Sequence, residues 1–247
     1  AIYFIGTFLG LAIGFLSRIL IVRYLTPSQF GILFLSWVIF TIVCTVVTLG
    51  IPEALTRQAS YFIGRGEKEK ASAIFKISIY ILVVSGTFSA FILFLSSDDI
   101  ANFFKMKDLC WTLKIFSIAI PFAIMNTLII AIFRTYERAE IKAIFGDVIP
   151  NLLRLKFIIL VILLSLPFYL VVWLYAIPII LTWILLILYS LTKAQIKTKI
   201  DLKASERSTR YIKNLILFSI PLLIQTILGM VIVWTDTLMI GYYLRSS

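Results

Sequence analysis

The chain has 247 residues, 61% of them hydrophobic and 14% charged, with a net charge of +11 and no histidine. This composition excludes a soluble domain of ordinary make-up, and the missing histidine excludes His-based metal sites, Ser-His hydrolysis and His proton relays within the chain. No GxxxxGK[ST] sequence is present to bind nucleotide phosphates, so no enzyme, cofactor or metal is expected.

The apolar residues fall into blocks of about 20, the length that crosses roughly 30 Å of hydrocarbon. Seven such blocks cover 2–24, 30–54, 72–95, 109–133, 146–166, 168–191 and 214–243, which predicts an all-α polytopic membrane protein. The first is too long, and wrongly flanked, for a cleavable signal peptide. In it Gly6, Gly10, Gly14 and Arg18 recur every four residues and share one helix face. Close packing is the favoured reading of the glycines. Arg18 differs, because it lies about 9 Å of helix rise inside the far end of the span. A guanidinium there costs several kcal/mol unless it faces water, a partner or an anion. Arg23 lies one residue from the span's end, where snorkelling explains it equally well. It is also about 140° round the helix from Arg18, so the two cannot both point straight into one cavity.

The second span closes near Arg57, four residues after Glu53. Arg57 either receives an anionic substrate or marks the cytoplasmic side. Residues 98–108 read as a short amphipathic helix whose Phe103 and Phe104 sink into the membrane interface. The fourth span carries Lys114 near its outer end. The fifth carries Asp147, Asn151 and Arg154 at i, i+4, i+7, with Pro150 placed to kink it. A local ion pair concealing both charges and a polar stripe facing a cavity are the two readings of that face. Asp236 is the only acid deep in the seventh span, and Cys44 and Cys110 read as small apolar residues rather than a disulfide.

Alternate loops collect the positive charge. Arg57, Arg65, Lys68 and Lys70 follow span two, Arg134, Arg138 and Lys142 follow span four, and seven more basic residues lie between 193 and 213. Only Lys105 and Lys107 lie in the opposite loops. This asymmetry places the N-terminus in the cytoplasm of a cell membrane and makes the charge topological, so no nucleic-acid partner is expected. Residues 1–28 and 220–247 align without gaps at nine identities, including Gly10 with Gly229 and Tyr24 with Tyr243. Six spans separate the copies, the pattern of parallel six-helix repeats in transporters. The expected organisation is a six-helix lobe over 1–191, a basic cytoplasmic linker over 192–213, and the first helix of a second, truncated lobe over 214–247. Without an initiator Met, and ending after the seventh span, the chain is expected to be a fragment.

Four stretches in order resemble the polysaccharide and oligosaccharide (Wzx-type) flippases of the multidrug/oligosaccharidyl-lipid/polysaccharide exporter superfamily. They are the corner Ile21–Gly31, the segment Leu49-Gly50-Ile51-Pro52-Glu53-Ala54-Leu55-Thr56-Arg57, the basic turn Ile63–Ala71, and Trp234–Leu244. The resemblance implies two six-helix bundles moving by alternating access. It also implies a polyprenyl-phosphate-linked oligosaccharide turned from the cytoplasmic to the outer leaflet. Its implied partners are membrane lipids, a coupling Na+ or H+, and a missing C-terminal lobe or other glycan-assembly proteins. In related lipid II flippases arginines of helices 1 and 2 line the cavity, and Arg18, Arg23 and Arg57 correspond by location. The expected substrate-phosphate and cavity set is therefore Arg18, Arg23, Arg57, Asp147, Asn151 and Arg154. Asp236 and Lys114 are candidates for a gate or ion coupling, with Asp236 opposing Arg18 across the cavity. The alternatives are a multidrug and toxin extrusion cation antiporter of the same superfamily and a non-transporting relic or scaffold.

Overall fold

The structure, a computed structural model, describes residues 2–192, 219–232, 234, 235 and 239. The described residues are predominantly helical, with no strand among them, in an all-α polytopic membrane architecture. In chain order the helices are α1 (Ile2–Tyr24), α2 (Pro27–Thr48), α3 (Ile51–Gly64), α4 (Lys68–Leu95), α5 (Ser97–Phe104) and α6 (Lys107–Thr135). A π-helical stretch (Lys142–Val148) then leads into α7 (Ile149–Leu163), α8 (Phe168–Thr192) and α9 (Ser219–Ile232). The predicted linker falls almost wholly outside the described residues, as does Asp236.

α6 is the central post. Half of its apolar window is buried, against 17% for α1, and it packs against α2, α3, α4, α5 and α8. Phe116, Ile120, Ile124 and Leu128 on it are fully enclosed. Its link to α2 includes a buried Ser36–Thr112 hydroxyl pair at 2.6 Å, the kind of interhelical polar contact that substitutes for the missing hydrophobic drive in lipid.

The corner between α1 and α2 follows from its residue types. The Thr26 hydroxyl accepts from the Gln29 backbone N–H, and the Gln29 side chain accepts from the Thr26 N–H. Pro27 sits in the first turn, where no backbone N–H is needed. Tyr24 closes α1 by donating its hydroxyl to the Leu166 carbonyl at 2.8 Å, tying the corner to the α7–α8 loop.

Two predicted spans are divided. The expected helix over 30–54 stops at Thr48, because Leu49 and Gly50 both adopt left-handed backbone, φ 50° and 66°. Pro52 then starts α3, so Arg57 lies on a separate helix rather than closing the second span. The expected helix over 146–166 begins earlier, in the π-helical stretch. Pro150 lacks an N–H, and its ring would press on the Gly146 carbonyl one α-turn back. The wider helix immediately before it relieves that conflict, in place of a simple kink. Five described helices are long and apolar enough to cross a membrane. α7 reaches comparable length only with its π-helical entry.

α1 packs along this divided helix. A Cβ on Gly6 would meet Ala143 Cβ at 2.8 Å, one on Gly10 would meet the Asp147 backbone at 2.8 Å, and one on Gly14 would meet Asn151 Oδ1 at 3.2 Å. The glycine face is therefore a seam of close backbone approach, not a surface leading to Arg18. Gly10→Ala should cost about 1–3 kcal/mol, through backbone displacement. Gly14→Ala should cost less, since a side-chain amide can move. Gly31→Ala, which meets nothing within 4 Å, should leave stability unchanged or raise it by about 0.5–1 kcal/mol. Thermal unfolding in detergent micelles checks all three.

Candidate functional site

One face of α2 gathers the polar chemistry of the bundle. Phe34, Trp37, Thr41, Thr45 and Thr48 follow at intervals of three and four residues, so they stack along one side of the helix. The Arg18 guanidinium carbon lies 5.6 Å from the Phe34 ring centroid. One turn further along, the Arg154 guanidinium carbon lies 4.6 Å from the centroids of both Trp37 and Tyr175. Phe116 and Phe40 back this pair of rings, with Trp37–Phe116 at 6.0 Å and Trp37–Phe40 at 5.4 Å.

Among the described residues neither arginine has a carboxylate within ion-pair distance, and Arg154 Nε is buried without a hydrogen-bond partner. Ring faces attract such cations by about 0.5–2 kcal/mol, more when water is excluded. They leave the guanidinium's donor edge unsatisfied, so a planar anion can still be bound in bidentate fashion.

Below Trp37 the same face of α2 opens into a groove of about 310 Å³, closed by α3, α6 and α9. Its wall carries Thr41, Thr45 and Thr48 from α2, Thr127 from α6 and Thr226 from α9. The far end of the groove is the Leu49–Gly50 break. There a Cβ on Gly50 would meet the Ser219 carbonyl oxygen at 2.8 Å, so α9 starts directly against the break. At the other end Trp234 meets Phe34 edge-on at 6.0 Å.

The predicted site residues that the structure describes divide into four groups. Arg18 and Arg154 converge on the aromatic part of α2. Asp147 and Asn151 belong to the α1 seam: Thr7 donates to Asp147 Oδ2 at 2.9 Å, and Asn151 Nδ2 donates to the Gly10 and Asp147 carbonyls at 3.1 and 2.8 Å. The local ion pair expected between Asp147 and Arg154 is absent. Seven residues of helix separate them by about 10 Å, and each meets a neighbouring helix instead. Arg23 and Arg57 are exposed on α1 and α3, as Arg18 is, but neither is among the ring-stacked cations of α2. Lys114 pairs with Asp98 of α5 at 3.1 Å, and the Cys110 thiol donates to the same carboxylate at 2.7 Å. Hydrogen bonds from Cys110 and Lys114 hold the Asp98 carboxyl below its ordinary range. This cluster stands at the α4–α5–α6 corner. Asp236 lies outside the described residues.

Sequence reasoning missed the threonine wall and the aromatic partners of the arginines. The spacing of Thr41, Thr45 and Thr48 was available as a signal, but apolar context gave no reason to separate them from ordinary packing threonines.

Residues 1–247 match the polysaccharide biosynthesis protein family over the whole chain. A crystal structure of MATE in complex with MaD3S superimposes with a TM-score of 0.69 at 15% identity, covering 89% of this chain and 51% of that one. The chain thus spans about half the length of that structure, and the likeness is one of fold. No curated protein matches significantly.

If Arg154 is held for its charge rather than for stability, Arg154→Met should leave the unfolding free energy within about 1 kcal/mol, since no ion pair is lost and a desolvated cation is relieved. Trp37→Ala, which empties the aromatic cluster, should cost about 3–5 kcal/mol. Chemical or thermal unfolding in micelles, followed by circular dichroism, separates the two.

Proposed function

Since the chain belongs to the polysaccharide biosynthesis protein family, we propose that it supplies the N-terminal lobe of an exporter that flips polyprenyl-phosphate-linked oligosaccharide across the cell membrane. The observation that carries the reading is the pair of guanidinium groups, Arg18 and Arg154, stacked on consecutive turns of α2 without carboxylate partners among the described residues. A lipid phosphate crossing the hydrocarbon core faces a large desolvation cost, and cations already oriented against ring faces, the exposed Arg18 and the half-buried Arg154, lower it. Arg18 and Arg154 take the phosphate in turn as the cavity between two lobes opens to either side. Arg57, exposed on α3, receives it at the cytoplasmic face, and Arg23 guides its departure.

Alternating access requires a second bundle opposite this one, and α9, which starts against the Gly50 break and lines the groove beside α2, is read as its first helix. The excess of basic residues in alternate loops supports a cytoplasmic N-terminus. Asp236 and Lys114 remain the candidates for gating or for coupling to Na+ or H+. A cation antiporter is disfavoured by the same two arginines, because like charge in a low-dielectric cavity repels a cationic substrate.

The test is export in a host deprived of its own flippase, with this chain alone and with a form extended to two six-helix lobes. The extended form should restore translocation of lipid-linked glycan. In it, Arg154→Gln and Arg18→Gln should each lower the rate about tenfold or more, the worth of one charge-assisted hydrogen bond, while Arg154→Lys keeps part of it. Unchanged rates in both glutamine variants would refute the phosphate role.

A further inference from the structure

The five threonines of the groove share a chemical state that points to one class of ligand. Each hydroxyl donates its single proton to its own helix: Thr41 to the Trp37 carbonyl at 2.8 Å, Thr45 to Thr41 at 2.9 Å, Thr48 to Thr45 at 2.8 Å, Thr127 to Ala123 at 3.1 Å and Thr226 to Leu222 at 2.8 Å. With that proton committed, a hydroxyl has only lone pairs left to offer. Three helices therefore present to one cavity five hydroxyl groups that can accept hydrogen bonds; the side-chain donors beside them in the lining are the Trp37 indole N–H and the weak Cys44 thiol.

Such a wall matches a ligand rich in donors. A bare metal cation is one candidate, but its oxygen ligands must lie within about 2.3–2.6 Å of a single point. Thr41 and Thr48 alone are spread over about 10 Å of helix rise. The array is linear and suits an extended chain of hydroxyl groups. Its upper end is bounded by the indole of Trp37, and its lower end carries the Glu53 carboxylate, a further acceptor.

We propose that this groove is a polyol subsite that holds the hydroxyl groups of a glycan along α2, with Thr41, Thr45 and Thr127 accepting from them. The inference rests on the reading of the chain as a lipid-linked glycan exporter and adds to it a division of labour. Arginines above Trp37 take the phosphate, and threonines below it take the sugar. Recognition by threonine lone pairs is tolerant, since any correctly spaced hydroxyl satisfies it whatever its ring stereochemistry.

The experiment compares two probes on the purified two-lobed protein in micelles by calorimetry: a short polyprenyl diphosphate, and the same carrier bearing a trisaccharide. Thr41→Val with Thr45→Val keeps shape and removes two acceptors. It should weaken the glycan-bearing probe about tenfold or more, at roughly three- to tenfold per hydroxyl, and leave the bare carrier within about twofold. Thr41→Ser with Thr45→Ser should restore affinity. If the double valine variant does not purify as a single species, Thr127→Val alone carries the test, with a threefold or greater loss expected. Equal weakening of both probes, or no weakening of either, overturns the subsite while leaving the exporter reading in place. Loss of affinity for a primary alkylammonium but not for the glycan also overturns it. Failure of both probes to bind the unmodified protein refutes the exporter reading, and the subsite falls with it.

Discussion

The Arg154 guanidinium sits where three membrane helices meet, reaching from α7 to lie against Trp37 of α2 and Tyr175 of α8. A cation in an apolar bundle is costly unless something compensates it, and here the compensation is two ring faces rather than a carboxylate. Ring faces hold a guanidinium in place without neutralising its charge. The aromatic cluster with Phe116 and Phe40 is thus both core packing, through which α6 supports the site, and the seat of the charge. An acid at the same place would have quenched the arginine and left the bundle equally well packed.

Asp147 shows the contrasting use of a charge. It stands on the same helical segment as Arg154 but is turned to α1, where Thr7 donates to it and Asn151 ties the adjacent carbonyls. That seam exists because Gly6, Gly10 and Gly14 let two backbones approach to contact distance. In lipid, where burial of apolar side chains gives little net drive, such close approach with shared hydrogen bonds is what holds helices together. The π-helical entry to α7 belongs to the same arrangement, since it absorbs Pro150 and sets Ala143, Asp147 and Asn151 against successive glycines.

Along α2 and into α3 the character of one face changes in order, from aromatic rings under guanidinium groups, through threonine hydroxyls, to Glu53. α9 begins against Gly50 beside that face, and Trp234 meets Phe34 at its other end. The left-handed residues Leu49 and Gly50 both end α2 and leave the flat backbone on which α9 starts.

Much of the fold could be read without coordinates. Blocks of apolar residues about 20 long can do little but cross a membrane as helices. Thr26-Pro27-Ser28-Gln29 specifies a capped corner by local chemistry alone, the short helix near 98–108 appears as α5, and motif order pointed to the family. The depth of Arg18 and the glycine periodicity were also visible, because both are properties of a single helix. What one helix cannot encode is its neighbour. Only the packed structure turned the glycines toward Asp147 and Asn151, separated Arg154 from Asp147, and set the arginines over rings of α2. It alone brought threonines from α2, α6 and α9 into one groove. Each of these depends on which helix stands beside which, and in an apolar sequence nearly every face of every helix is greasy enough to pack, so the choice falls to backbone fit and to the few polar groups that must find partners.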